Sequence, residues 1–425
     1  MPQAKMNLPQ SELNNREPLV DLIFFDAGGG HRASATALKS MLEGQHRSWQ
    51  VRMVNLRDAL EPIDFIRRFT GVRLEELYNG LLRYGLTIAT GSTLPILHML
   101  IRQTHSWQVS LLAQFWKSPR PNLVVSMIPH FNRAILDGLR VADMAEGRAA
   151  TPMATVMTDL ADYPPHFWIE QQLQHLICGT HAAVRQAIAV GHGAGKIWRT
   201  SGMIVRPDFY RPMDIDRMAE RMRFGLTPDR PTGLVMFGGY GSRAMLTIAR
   251  RAAAAGAKLQ LIFLCGHNQK LRRRLAAMEL PYPHHIEGFT SDVAGYMRLA
   301  DFFIGKPGPG SISEALVMNL PLILERNAST MVQERFNTDW VARNHLGIVL
   351  NSFATISEAL PVMADPARLA RMRAQVSKFH NRALFELPGI LEEIMHSPAE
   401  PIGAPFHARG DAASLRRRSL AAVNA

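Results

Sequence analysis

A histidine ends a run of three glycines in Phe24-Phe25-Asp26-Ala27-Gly28-Gly29-Gly30-His31-Arg32-Ala33, directly after an apolar stretch. Glycine lets the backbone turn tightly and approach a ligand closely. A helix beginning there points free N–H groups into the gap. The imidazole adds a group able to take up a proton near neutral pH, as a general base must. Gly28, Gly30 and Ala33 also fit G-x-G-x-x-A, a dinucleotide turn. The following strand, however, ends in Asn55 and Leu56 instead of the acid that such a fold uses on a ribose.

A second constellation lies in DFFIGKPGPGSISEALVMNLPLILE, which reads as strand, glycine-proline turn, helix and strand. Ser311 and Glu314 have the S-x-x-E spacing of a capping box, in which the glutamate serves its own helix. The alternative is a carboxylate that accepts both hydroxyls of a nucleotide ribose while the helix N-terminus faces the diphosphate. Capping leaves Lys306, Gly308 and Gly310 unexplained. It also leaves unexplained a second glycine turn, Gly238-Gly239-Tyr240-Gly241-Ser242. Asp214-Ile215-Asp216 spells D-x-D, a divalent-ion pattern, but sits in a charged segment without a glycine turn and reads as solvated surface.

These groups need strands to place them. LVDLIFF, WQVRMVNL, NLVVSMI, ATVMTDL, HLICGT and KIWRTSGMIV read as strands, with helical segments between several of them. The pattern pauses at Arg206-Pro207-Asp208 and resumes with TGLVMFGG, LQLIFLCG, HHIEGF, DFFIGKPG, LPLILE and GIVL. Strands alternating with helices imply α/β architecture with parallel sheets. We therefore expect a polar start at residues 1–17, a first βα domain at 18–205, a second at 206–380, a helical segment at 381–400 and a basic tail at 401–425. An insert, residues 62–118, mixes Phe, Trp, Tyr and Leu with Arg and Lys. It reads either as core helices or as an apolar, basic-fringed membrane face.

Composition narrows the function. Over 425 residues, 48 Lys and Arg against 36 Asp and Glu leave a formal charge of +12, so an anionic partner is expected. Cys178 and Cys265 lie in apolar runs without metal-like spacing and read as reduced core residues. The first residues lack the apolar stretch of a secretory signal, and no apolar run is long enough to span a bilayer.

Taken together, FDAGGGHRASA, ATVMTDLADYPPHFWI, CGHN, EGF and GKPGPGSISEAL resemble glycosyltransferase family 28 over about residues 20–390. The likeness is to its monogalactosyldiacylglycerol synthase and processive diacylglycerol glucosyltransferase branch. The resemblance implies a GT-B fold, two Rossmann-like domains facing across a cleft. It implies that a hexose passes, with inversion, from UDP-galactose or UDP-glucose to the 3-hydroxyl of 1,2-diacylglycerol. By position, His31 would take the acceptor proton and Asp26 or Asp159 would orient it, each carboxylate being otherwise a cap or strand-end turn. Gly29, Gly30, Gly238, Gly239, Gly266, Asn268, Lys306, Gly308, Gly310 and Ser311 would line the donor site. Gly288 and Phe289 would lie against uracil, Glu314 would hold the ribose, and Gln333 with Glu334 would read the sugar. His267 stands where the branch has a basic residue. Arg67, Arg68, Phe69, Arg73, Arg83, Trp107, Phe115 and Trp116 would meet acceptor and anionic lipid. The resemblance implies no metal, no cofactor beyond the UDP-sugar substrate, no nucleic acid, and a peripheral place on the cytoplasmic face of the cell membrane. Another lipid acceptor, or a non-hydrolysing UDP-sugar epimerase, are the alternatives.

Overall fold

A computed structural model describes residues 17–26, 30–45, 47–60, 99, 101–212, 216–256 and 258–401. Gly28, Gly29, Arg67, Arg68, Phe69, Arg73, Arg83 and Asp214 fall outside them, as do most of the insert and the basic tail.

Two parallel six-stranded sheets organise the chain. The first contains β1 (Leu19–Phe24), β2 (Gln50–Asn55), β3 (Leu123–Ser126), β4 (Met153–Val156), β5 (His175–Cys178) and β6 (Ile197–Arg199), in the order β2-β1-β3-β4-β5-β6. The second contains β7 (Thr232–Met236), β8 (Gln260–Leu264), β9 (His284–Glu287), β10 (Phe302–Gly305), β11 (Leu322–Glu325) and β12 (Gly347–Leu350), in the order β12-β11-β10-β7-β8-β9. All twelve expected strands are present. KIWRTSGMIV yields only the three residues of β6, because Gly202 is needed next for a close crossing.

The inner strands are buried on both faces, as parallel sheets require, while the edge strands β2, β6, β9 and β12 are partly exposed. In β1, Val20, Leu22 and Phe24 face a core built with Leu38 and Leu42, while Ile23 faces a core built with Leu112, Trp116 and Leu139. In β8, Leu261 and Phe263 face one core and Ile262 and Leu264 the other.

The last helix, Ala383–Met395, belongs to the first lobe. Its Leu387, Leu391 and Ile394 pack beside Leu38 against β1 and β3. The chain thus crosses between lobes twice, and the crossings are tied together. Asn381 Nδ2 donates to the Met203 carbonyl at 2.9 Å, and the Ser201 amide donates to Glu386 at 2.8 Å. A Cβ on Gly202 would lie 2.5 Å from Asn381 Cγ, so glycine is required there.

Candidate active site

In open parallel sheets, ligands bind beyond the carboxyl ends of strands where the strand order reverses. Here those points lie between β1 and β3 in the first lobe and between β7 and β10 in the second. Gly30 and His31 open the helix after β1, and Gly238, Gly239, Gly308 and Gly310 follow β7 and β10.

His31 is the second residue of the helix Gly30–Gly44, which follows β1. Its Nδ1 lies 3.2 Å from Thr158 Oγ1, past the end of β4, and the ring also hydrogen-bonds the Met127 backbone past β3. Burial lowers its pKa to about 4, outweighing the Met127 bond, which acts the other way. The ring is therefore neutral at physiological pH, the form that a general base starts from, while the same burial disfavours the imidazolium it would become. Thr158 and Met127 fix its orientation, a task that the sequence had suggested for carboxylates.

Those carboxylates are otherwise engaged. Asp26 pairs with Arg32 at 3.1 Å and lies 3.5 Å from Asn55 Nδ2. Asp159 accepts a 2.9 Å bond from Trp168 Nε1, and the Trp168 ring lies 6.0 Å from the His31 ring. Burial raises Asp159 to about 7, with the Glu334 charge adding to the effect and Lys306 opposing it. Asp159 is in the first lobe and the other two are in the second, so this coupling spans the cleft. Tyr163 stacks on Phe336 across the same gap, with centroids 5.4 Å apart.

Three turns of the second lobe are stitched together. The His267 amide donates to the Gly239 carbonyl at 2.8 Å, and the Gly266 amide to the Gly288 carbonyl at 3.1 Å. Gly266 has φ +58°, and a Cβ there would lie 2.1 Å from the Gly239 oxygen. Only glycine lets these backbones approach so closely. Gly238 is likewise left-handed, at φ 68°. Asn268 is committed locally, capping the helix Gln269–Ala276 through the Leu271 amide and donating to the Tyr240 carbonyl. His267 lies flat on Phe289 at 4.0 Å, and Phe289 is 59% exposed, an open aromatic face at the edge of the cleft.

The helix Pro309–Val317 starts earlier than a capping box allows. Gly308 is its N-cap, without a side-chain bond, and Pro309 is its first residue. Ser311 therefore lies inside the first turn and Glu314 beyond it, so neither forms the expected box. Glu314 is half-buried, and its carboxylate has no hydrogen-bond partner among the described residues. Burial raises it to about 7, with Arg206 pulling it back. Gly310 is exposed with open space around it, and Gly308 borders Lys306 and Glu334. Lys306 Nζ meets Glu334 at 3.2 Å, and Gln333 lies beside it on the helix Val332–Arg343.

The lipid-facing expectation needs correction at one residue. Trp116 is fully buried, with its Nε1 donating to Asp21 at 3.0 Å, because a buried carboxylate on β1 requires a donor. Phe115 is half-buried under the Arg52 guanidinium, whereas Trp107 is 51% exposed. Met99, Val141 and Met144 are exposed as well. Val141 and Met144 lie on the helix Asn132–Ala145, which packs against His105–Phe115, the helix that carries Trp107. Asp216 caps the helix Arg217–Arg223, which accounts for the second acid of the D-x-D.

Residues 234–381 match the glycosyltransferase family 28 C-terminal domain. The chain is 28% identical over 391 residues to monogalactosyldiacylglycerol synthase 1, chloroplastic, of Arabidopsis thaliana, covering 86% of this chain and 71% of the plant protein. It is also 28% identical to the spinach (Spinacia oleracea) monogalactosyldiacylglycerol synthase, covering 88% and 72%. Its fold is that of GT-B glycosyltransferases. MurG of Acinetobacter baumannii superposes with a TM-score of 0.55 at 12% identity, covering 88% of this chain and 99% of that one. A putative UDP-N-acetylglucosamine 2-epimerase from Listeria monocytogenes gives 0.54 at 14%, covering 89% and 96%. The fold therefore does not by itself choose between transfer and epimerisation.

Proposed function

A glycosyltransferase family 28 C-terminal domain occupies residues 234–381, and on that premise we propose that the chain transfers a hexose from a UDP-sugar to diacylglycerol at a membrane surface. Relatives named for monogalactosyldiacylglycerol synthesis favour galactose as the hexose. The observation that carries the reading is the facing of two switch points. A neutral imidazole stands on one side, and a glycine-lined helix N-terminus with Lys306 on the other.

In this mechanism the ribose hydroxyls donate to Glu314, uracil lies against Gly288 and Phe289, and the diphosphate rests on the N-terminus of Pro309–Val317. His31 takes the proton of the acceptor hydroxyl. The oxygen attacks the anomeric carbon from the face opposite UDP, the bond to the β-phosphate oxygen breaks, and UDP leaves with that electron pair. Inversion follows from the single displacement. Helix N–H groups and Lys306 oppose the charge that develops on the leaving diphosphate. Gln333 and Glu334 read the sugar hydroxyls. The exposed Trp107, Met99, Val141 and Met144 support an apolar approach to the bilayer on the first lobe. No helix among the described residues is long and apolar enough to cross a membrane, and a peripheral position suits this reading.

Radiolabelled UDP-galactose with diacylglycerol vesicles tests the proposal. Labelled glycolipid is expected. Sugar interconversion without lipid product would instead support an epimerase.

A second test concerns Glu314. A carboxylate accepts two hydroxyls far more strongly when ionised, and burial holds this one at about 7. Affinity for UDP-galactose, measured calorimetrically, should rise from pH 6 to pH 8 and then level off. In Glu314→Gln it should be about tenfold weaker or worse and nearly flat with pH, because a charged hydrogen-bond pair is lost. The melting temperature at pH 8 should not fall. An unchanged affinity with a lower melting temperature would make Glu314 a structural residue.

A further inference from the structure

The helices Ala244–Ala255 and Gln269–Ala276 lie on one face of the second sheet. Leu246, Ile248 and Ala249 of the first helix share a core with Leu271 and Leu275 of the other. Their outward rows are therefore side by side. Arg250 and Arg251 are exposed on the first helix, with Arg243 exposed at its N-cap on the same row. Lys270, Arg273 and Arg274 are exposed on the second, at helical spacing. Neither helix carries an acidic residue, and none of these six cations is in an ion pair among the described residues. Acids around that layer include Glu279, just after the second helix, Glu358, in the 3-10 segment packed against the first, and Glu287 of β9, which feels the Arg272 charge of the second helix.

Both helices begin at the carboxyl ends of β7 and β8, so the cationic face starts at the edge of the cleft. We propose that this face of the second lobe is an electrostatic docking surface for an anionic bilayer, separate from the apolar approach on the first lobe. It is a broad helical surface of like charge, which suits a plane of headgroups. Neither helix carries an aromatic residue to stack a nucleic-acid base, and the exposed Tyr240 and Phe289 lie in the cleft turns beside His267. The choice of a bilayer over another polyanion rests on the lipid-acceptor reading. Attachment through both lobes would hold the cleft mouth against the surface from which the acceptor enters.

The test is sedimentation with phosphatidylcholine vesicles containing phosphatidylglycerol, compared with phosphatidylcholine alone, at low and high salt. The full chain is compared with Lys270→Gln/Arg273→Gln/Arg274→Gln and with a variant of equal charge, Arg185→Gln/Arg199→Gln/Lys378→Gln. At low salt, partitioning of the first variant onto anionic vesicles should fall by about tenfold or more, and the difference should shrink as salt rises. The second variant should bind nearly as the parent does. Both should keep the parental melting temperature and UDP-galactose affinity. Equal losses in the two variants would reduce the effect to net charge, and parental binding by the first would remove the surface. If heparin or DNA displaced the protein from vesicles at equal phosphate, a polyanion site would replace the proposal. Normal vesicle binding by a protein that makes no glycolipid would leave the surface standing and overturn the transferase reading instead.

Discussion

Replacing His31 with alanine should lower turnover by roughly 10²- to 10⁴-fold, the usual contribution of a positioned general base, while UDP affinity stays at the parental value. The ring is held by Thr158 and the Met127 backbone on the first lobe, and the nucleotide would be gripped by the second, so the two effects are separable. Because burial keeps the imidazole neutral down to about pH 4, this variant should lose activity equally at pH 6 and pH 8. Thr158→Val should reproduce part of the loss by freeing the ring. Steady-state kinetics with calorimetric UDP binding on the same samples gives both readouts. Loss of UDP binding together with turnover would show that His31 supports the donor site instead.

The largest effect on stability is expected at Asp301, just before β10. Its carboxylate accepts from Arg217 and Arg221 at 2.7 Å each, from Arg373 at 3.3 Å and from the Thr232 amide at 2.9 Å. Arg221 is almost wholly buried. Burial alone would raise this carboxyl, but the two nearest guanidinium groups outweigh it and hold it below the usual range. Asp301→Ala leaves Arg221 buried and uncompensated, and should cost about 3–5 kcal/mol in urea unfolding. A depressed carboxylate lends stability above the unfolded pKa and loses it as pH falls through the folded one. The difference between parent and variant should therefore be full at pH 7 and shrink in acid.

Asp159 and Glu314 have the opposite sign. Both are raised to about 7, so the folded protein holds protons that the unfolded chain releases near its ordinary carboxylate pKa. Each therefore costs stability as pH rises from about 4 to about 7. Carboxylates kept at such a cost in a cleft are what a binding site contains. Asp301, far from the cleft-side ends of its sheet, repays its burial in structure.

Much of this was legible in the chain. The strands could be read because each is a short apolar run ended by a glycine, proline or polar turn, and His31, Lys306 and Glu314 follow such ends. S-x-x-E is a strong local pattern and left open a helix capped at Ser311, beside the ribose reading of Glu314. Gly308-Pro309 carried the better signal, since proline is preorganised for the first helical position. The partners of His31 were hidden because Met127 and Thr158 lie just past the ends of other strands, about a hundred or more residues away, and only strand order brings them together. The expected helical segment at 381–400 is present as Ala383–Met395, but nothing local showed that it would cover the first sheet. Trp116 looked lipid-facing among basic neighbours because the buried Asp21 that claims its indole lies 95 residues away.

The account turns on where a uridine diphosphate sits. In a crystal of the full chain with UDP, the ribose hydroxyls should lie within hydrogen-bond distance of Glu314, and the diphosphate should cap the helix Pro309–Val317 opposite His31. Nucleotide bound beyond β1 and β3 in the first lobe, with Glu314 untouched, would contradict it.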